Sequence, residues 1–279
     1  MIILVSGHNG RIGRLIIPEL IRKGISVKTL GRKPLGNIEN FTWELGQKIP
    51  KDVGDYDIFL HLAFNRSSYN LRNVESNLNI SSLLEIRESI LPKSRLVMPS
   101  SLSINPRNKS VYSKVKYLQN QYIISNFINY TILTLGFVID KNFFDIQPDV
   151  IKRLAKYRIE FRLLNRNASF FYTTSNHLLD CITKITNDSS NSIIWAASHR
   201  NFDLSTFFDF GKKFSIKIPI WLIEIKIIYL FFEKLRFEKT IPFIDQMVSL
   251  SSVNKLDDMA FSFEFNKLIP RNEQIIIKE

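Results

Sequence analysis

A chain of 279 residues with 45% hydrophobic content is long enough for one large domain, or a main domain with a smaller partner, and too apolar for general disorder. Its net charge of +12 comes with no Lys/Arg block, no zinc-finger spacing and no aromatic RNA-binding signature, which argues against nucleic acid and for a diffuse basic surface that attracts small anionic ligands. The single cysteine, Cys181, excludes a disulfide framework and a cysteine-based zinc site, and fits a reducing, cytoplasmic setting.

Ile2 to Val5 is a short apolar run ending at Ser6-Gly7, the pattern of a buried parallel strand. It lacks the basic flank of a signal peptide. From Arg11 to Lys23 the residues Ile12, Leu15, Ile16, Leu20 and Ile21 repeat at helical spacing, and Gly24 stops the helix. Ser26 to Leu30 is a second strand. The alternation continues with a strand over Ile58 to Leu62, a helix over Asn77 to Ser89, a strand over Leu96 to Met98 ending at Pro99-Ser100-Ser101, a helix over Tyr112 to Ile124, and a strand at Thr131 to Leu133 closed by Gly136. Strands alternating with helices predict an α/β fold, a doubly wound parallel sheet covered on both faces. Beyond about residue 140 the alternation weakens, and the tail from Phe202 is helical in composition. Within it Ile218 to Phe237 reads as an amphipathic helix, buried or lying on a membrane surface. Glu224, Lys226, Glu233, Lys234 and Arg236 interrupt it, so no spanning segment of about 18 apolar residues exists.

The first strand–helix turn reads Gly7-His8-Asn9-Gly10-Arg11-Ile12-Gly13. Glycines there let a backbone approach a pyrophosphate, and the helix N-terminus offers N–H groups and a positive dipole end to its oxygens. The blander alternative is a structural turn. The end of the second strand, Gly31-Arg32-Lys33, has no acid anywhere between Glu19 and Glu39. An acid at that point holds a ribose 2′-hydroxyl, whereas an arginine accommodates a 2′-phosphate. Arg32 therefore points to NADP, with NAD as the alternative, unless this is only a solvated basic loop. Tyr112 and Lys116, four apart, share a helix face. An ammonium beside a phenol favours the phenolate, making the tyrosine a proton exchanger near neutral pH. Ser101 lies at the carboxyl edge of its strand, where ligands bind in open α/β sheets. His8, His61, His177 and His199 show no metal-ligand spacing, so no metal is expected. Arg162 and Arg166 suit a diphosphate or a solvated face.

Taken in order, Ser6 to Gly13, Asp57 to Ala63, Ser76-Asn77-Leu78, Ser82 to Glu85, Pro99 to Ser101, Tyr112 to Lys116 and Tyr130 to Leu133 resemble the extended short-chain dehydrogenase/reductases of the nucleotide-sugar epimerase/dehydratase branch. The resemblance implies a Rossmann-type domain over residues 1–140 and a smaller, mainly helical substrate-binding region over 141–279, with about 168–200 returning to the sheet. It implies that Gly7, Asn9, Gly10, Arg11, Ile12 and Gly13 meet the pyrophosphate, that Arg32 meets the adenosine ribose and that Glu44-Leu45 lie near the adenine. Leu62, Ala63 and Phe64 then flank the cofactor, and Asn77 sits beneath the active site. Ser101, Tyr112 and Lys116 become the catalytic triad, with Tyr112 and Lys116 also touching the cofactor. Departures are Thr134-Leu135 where the family often has Arg-Pro, Asn176-His177 where it has an acidic pair, and Leu102-Ser103 in place of the acids of the dehydratases. The first two bear on the substrate more than on the cofactor; the last weakens a dehydratase assignment and leaves epimerisation or carbonyl reduction. The implied partners are a nucleotide sugar and a second copy of the chain in a homodimer. Reduction of another small carbonyl compound and a non-catalytic cofactor-binding scaffold are the competing functions.

Overall fold

The computed structural model describes residues 1–65, 77–102, 104, 111–139, 159–163, 169–185, 191–196, 201–203, 214–218 and 274–276. In chain order the elements are β1 (Ile2–Ser6), α1 (Arg11–Arg22), β2 (Ser26–Leu30), β3 (Asn40–Phe41), β4 (Ile58–His61), α2 (Leu78–Ser89), β5 (Arg95–Ser101), α3 (Val111–Asn126) and β6 (Tyr130–Leu135). They are followed by β7 (Phe137–Ile139), β8 (Ile159–Leu163), β9 (Ser169–Thr174), α4 (Ser175–Ile185), β10 (Ser192–Ala196), β11 (Asn201–Asp203), β12 (Phe214–Ile218) and β13 (Gln274–Ile276).

The main sheet is parallel and eight-stranded, in the order β13-β10-β6-β5-β4-β1-β2-β3. The strands are apolar because both faces are covered. In β1, Ile3 and Val5 join one core with Ile16, Ile17 and Leu20 of α1 and Leu178, Leu179 and Ile182 of α4. Leu4, pointing the other way, joins a second core with Leu83 and Ile86 of α2 and Ile123 of α3. Side-chain alternation along one strand thus feeds two helical layers, the α/β arrangement predicted from the alternation of elements. Gly24, at φ 77°, closes α1, and the Ile25 N–H then reaches back to the Leu20 carbonyl at 3.1 Å.

Strand order reverses between β1 and β4, so the carboxyl ends of these two strands open a crevice at the switch point. Next to it, β5 runs past its neighbour: pairing with β4 stops at Leu60↔Val97, while pairing with β6 continues to Ser101↔Leu135. Pro99 therefore sits beyond the β4 ladder. Its missing N–H costs no hydrogen bond there, and its carbonyl is left for a side-chain donor.

Two small sheets, β11-β9-β7 and β12-β8, carry the other described strands of the second half. The helix expected over Ile218 to Phe237 lies outside the described residues, apart from Ile218 at the end of β12. No described helix is long and apolar enough to cross a membrane.

Candidate active site

The glycine-rich turn is shaped by close backbone contacts. Gly7 has a φ of 71°, and a Cβ there would lie 2.5 Å from the Ala63 nitrogen and 2.6 Å from the Leu62 carbonyl carbon. Only glycine lets the turn after β1 rest against the segment after β4. A Cβ on Gly13 would lie 2.4 Å from the His8 carbonyl oxygen, so the first turn of α1 packs directly on the loop before it. Gly10 is closed in by the Gly7 carbonyl, which accepts its N–H at 2.9 Å. The turn is thus a cradle made of main chain alone, in which any side chain at these positions would collide with backbone, and α1 opens from it with Gly10 as N-cap and Ile12 packed against the first core. The Arg11 guanidinium donates to the Val138 carbonyl at 2.7 Å, tying α1 to β7.

His8 is buried and extends across to the loop after β2. Its Nε2 lies 2.7 Å from the Lys33 carbonyl oxygen and its Nδ1 lies 3.1 Å from that of Leu30. The Asn9 amide nitrogen donates to the same Lys33 carbonyl at 2.9 Å. Gly31 lies against the imidazole, 2.6 Å from Cε1 to a Cβ built there. His8 and Asn9 therefore hold Gly31-Arg32-Lys33 at the edge of the crevice, leaving the Arg32 side chain exposed. Sequence reasoning left His8 among scattered histidines. The contact with Gly31, 23 positions on, carries no local signal. Glu44 is exposed on a neighbouring turn, whose Leu45 packs against the second core.

On the other side of the switch point, β4 delivers Leu62, Ala63 and Phe64. The Ser6 hydroxyl bridges β1 and β4, lying 2.7 Å from His61 Nδ1 and accepting the Ala63 N–H at 3.4 Å. His61 is packed between Trp43 and Phe59, and burial, with the nearby Lys116 charge, lowers its pKa to about 3. It is a neutral core residue at neutral pH.

Asn77 caps α2, accepting the Asn79 N–H at 3.0 Å and the Asn79 side-chain amide at 2.7 Å. Asn79, which sequence reasoning passed over, does more. Its amide takes the Asn65 N–H at 2.6 Å and gives to the Asn65 carbonyl at 3.0 Å, while its own carbonyl accepts from Gln119 of α3 at 2.7 Å. The available signal was polar residues, Asn79 and Gln119, on core-facing helix positions.

Ser101 ends β5, and Tyr112 stands in the first turn of α3 with Lys116 one turn on. Lys116 is buried, and its Nζ donates to the Pro99 carbonyl at 2.8 Å. Burial lowers its pKa to about 7. The Phe64 ring meets the Tyr112 ring in a T-shaped contact, centroids 5.4 Å apart, and lies 4.8 Å from Lys116 Nζ. The segment after β4, the end of β5 and the start of α3 thus converge beside the glycine cradle. Of the two basic residues considered for a diphosphate, Arg162 lies in β8 and Arg166 outside the described residues. Among the described residues no group of three or more His, Cys, Asp or Glu is arranged to hold a metal ion.

No protein-family model matches this sequence, and no curated protein does. Solved structures match in fold. MoeE5, in complex with UDP-glucuronic acid and NAD, gives a TM-score of 0.65 at 16% identity, covering 78% of this chain and 86% of that one. UDP-glucose 4-epimerase from Thermotoga maritima, with UDP-glucose, gives 0.59 at 14% identity over 78% and 86% of the two chains. TunA, an NAD-dependent NDP-hexosamine 5,6-dehydratase of tunicamycin biosynthesis, gives 0.60 at 15% identity over 78% and 85%. At such identities the likeness is one of fold: the Rossmann-type sheet expected from the motifs is the sheet that these nucleotide-sugar enzymes share.

Proposed function

We propose that the protein is an NAD(P)-dependent oxidoreductase or epimerase that acts on a hydroxyl or keto group of a nucleotide sugar. The observation that carries this reading is the convergence, beside a glycine cradle at the switch point, of Tyr112, Lys116 and the end of β5. Cradle and pair lie on one crevice.

The residues fit a dinucleotide. Gly7, Gly10 and Gly13 keep the turn packed main chain on main chain and free of side chains, so that a pyrophosphate can approach its backbone, and α1 presents its N-terminus there. Arg32, fixed on its loop by His8 and Asn9, offers a planar fork for an adenosine 2′-phosphate, which favours NADP over NAD. Leu62, Ala63 and Phe64 wall the ring end of the site. The bound nicotinamide supplies hydride acceptance and return. Tyr112 holds the proton that the substrate oxygen gives or takes, and Ser101 steadies that oxygen by a hydrogen bond. Lys116, with a pKa near 7, is partly charged at neutral pH, so its charge is available to Tyr112 and to a ribose hydroxyl. The nucleotide-sugar class is supported by the fold neighbours and by the basic balance of the chain. On this reading residues 1–140 bind cofactor, 141–279 carry the substrate region, and the enzyme works in the cytoplasm as a homodimer.

Fluorescence titration with NADH and NADPH tests the cradle, and thermal shift with UDP and dTDP tests the substrate class. Both should respond. A response to NADPH with none to any nucleoside diphosphate or nucleotide sugar would move the assignment to a reductase of another small carbonyl compound. Tight cofactor binding with no turnover of any sugar nucleotide or carbonyl would make it a scaffold.

A further inference from the structure

Lys116 is a buried cation with an unusual set of neighbours. Among the described residues its Nζ has one hydrogen-bond acceptor, the Pro99 carbonyl, and no carboxylate pairs with it. From β4 the titratable group facing it is His61, held neutral by burial, and from its own helix it is Tyr112, one turn earlier. A buried ammonium with so few partners is costly. The face of Phe64 lies against it, 4.8 Å from Nζ.

The Phe64 ring is not placed there loosely. On its N-terminal side, Ala63 is pinned by the Ser6 hydroxyl and backed by the glycine turn. On its C-terminal side, both backbone groups of Asn65 are bonded to the Asn79 amide, and Asn79 is bonded in turn to Gln119, three residues after Lys116. The backbone carrying Phe64 is therefore clamped to the helix that carries Tyr112 and Lys116. The same ring meets both of them: in a T-shaped contact with the phenol and face-on to the ammonium.

We propose that Phe64 is the positioning residue of the reacting pair, a fixed aromatic wall whose π face holds the Lys116 ammonium charged and whose T-shaped contact orients the Tyr112 ring. It acts through Lys116 and Tyr112, and the proposal rests on their being the reacting pair. The negative face of the ring stabilises the charged lysine, so more ammonium is available to favour the Tyr112 phenolate. An aliphatic side chain of similar bulk fills the same space without that effect.

The test is the titration of Lys116 in the full-length apoprotein, followed by NMR of labelled lysine side-chain carbons and assigned by its absence in Lys116→Met. Replacing Phe64 with pentafluorophenylalanine keeps the shape and removes the negative ring face, and Phe64→Leu removes the ring. Each should lower the Lys116 pKa by about half a unit to one and a half units, the span of a cation–π contact. Each should also move the ultraviolet phenolate signal of Tyr112, taken as the difference from Tyr112→Phe, to higher pH. Phe64→Trp should restore both. Should Phe64→Leu fail to fold, the fluorinated ring, which barely changes packing, decides alone. A Lys116 titration unmoved by fluorination overturns the proposal and leaves Phe64 as apolar filler. NADH titration of the unaltered protein is read separately: no binding, beside a Lys116 titration that follows the ring, would sink the oxidoreductase reading and not the Phe64 contact.

Discussion

The two halves of the crevice are built from different materials. Around Gly7 to Gly13 the geometry is set by main chain against main chain: Gly7 against Leu62-Ala63, and Gly13 against His8. Around Tyr112 it is set by side chains: a phenol, a phenyl ring and an ammonium lodged on a carbonyl. A backbone-built site fails sterically, because a clash with main chain has nowhere to relax. A site built from side chains fails chemically, one property at a time. Substitutions that separate folding, binding, proton transfer and titration test whether the division is real.

The largest effects should be opposite in kind on the two sides. Gly13→Ala puts a methyl 2.4 Å from a backbone oxygen, and the helix must move to admit it. We expect a loss of about 3 kcal/mol or more, seen as a fall in Tm of roughly 10 °C, together with loss of NADH binding. Tyr112→Phe removes one oxygen and little volume. Stability and cofactor affinity should hold while turnover drops by about two to four orders of magnitude. If Tyr112→Phe abolished NADH binding, or Gly13→Ala left it intact, the comparison would fail.

A smaller effect is electrostatic and belongs to the side-chain half alone. His61 has a folded pKa of about 3 against an ordinary value of 6.5. The unfolded chain takes up its proton first, so the favourable neutral burial is fully present above pH 6.5 and is lost as pH falls from there toward 3. Lys116, at about 7 against 10.5, acts in the alkaline window: the unfolded chain holds the proton longer, and stability climbs as pH rises from 7 to 10.5. Denaturant melts across pH should show both slopes. His61→Gln, which keeps a partner for Ser6, should flatten the acid slope, and Lys116→Met the alkaline one. Slopes unchanged in both variants would mean that other groups dominate.

The same division explains what was legible in the sequence. The strand and helix alternation over the first 140 residues is a matter of local periodicity, and β1, α1, β2 and α2 appear within a residue or two of their expected bounds. β5 runs longer than its apolar core because Pro99 sits past the end of the β4 ladder and breaks nothing. The glycine turn was legible because close approach demands glycine whatever follows. The two-residue β3 was too short to leave a pattern. The Asn79–Asn65 clamp, the His8 contact with Lys33 and the ring of Phe64 over Lys116 join residues 14, 25 and 52 positions apart in sequence. Such pairings are made by topology, and no local pattern announces them.

The smallest expected effect falls where the two kinds of construction meet. Arg32 is a side chain, exposed, on a loop held by His8 and Asn9 through the Lys33 carbonyl. If its guanidinium accepts a 2′-phosphate, Arg32→Ala removes a charge-assisted contact worth about 1.5 kcal/mol once solvent screening is allowed for, or about tenfold in NADPH affinity. NADH, with no phosphate there, should bind as before. His8→Ala leaves Arg32 in place but frees its loop. It should weaken NADPH by a few-fold and also lower Tm, because a buried ring and its two carbonyl contacts are lost. Paired dissociation constants for NADPH and NADH in both variants settle the matter. An Arg32→Ala variant that weakens both dinucleotides equally removes the 2′-phosphate assignment and makes the loop a charged rim that steers anions and distinguishes none.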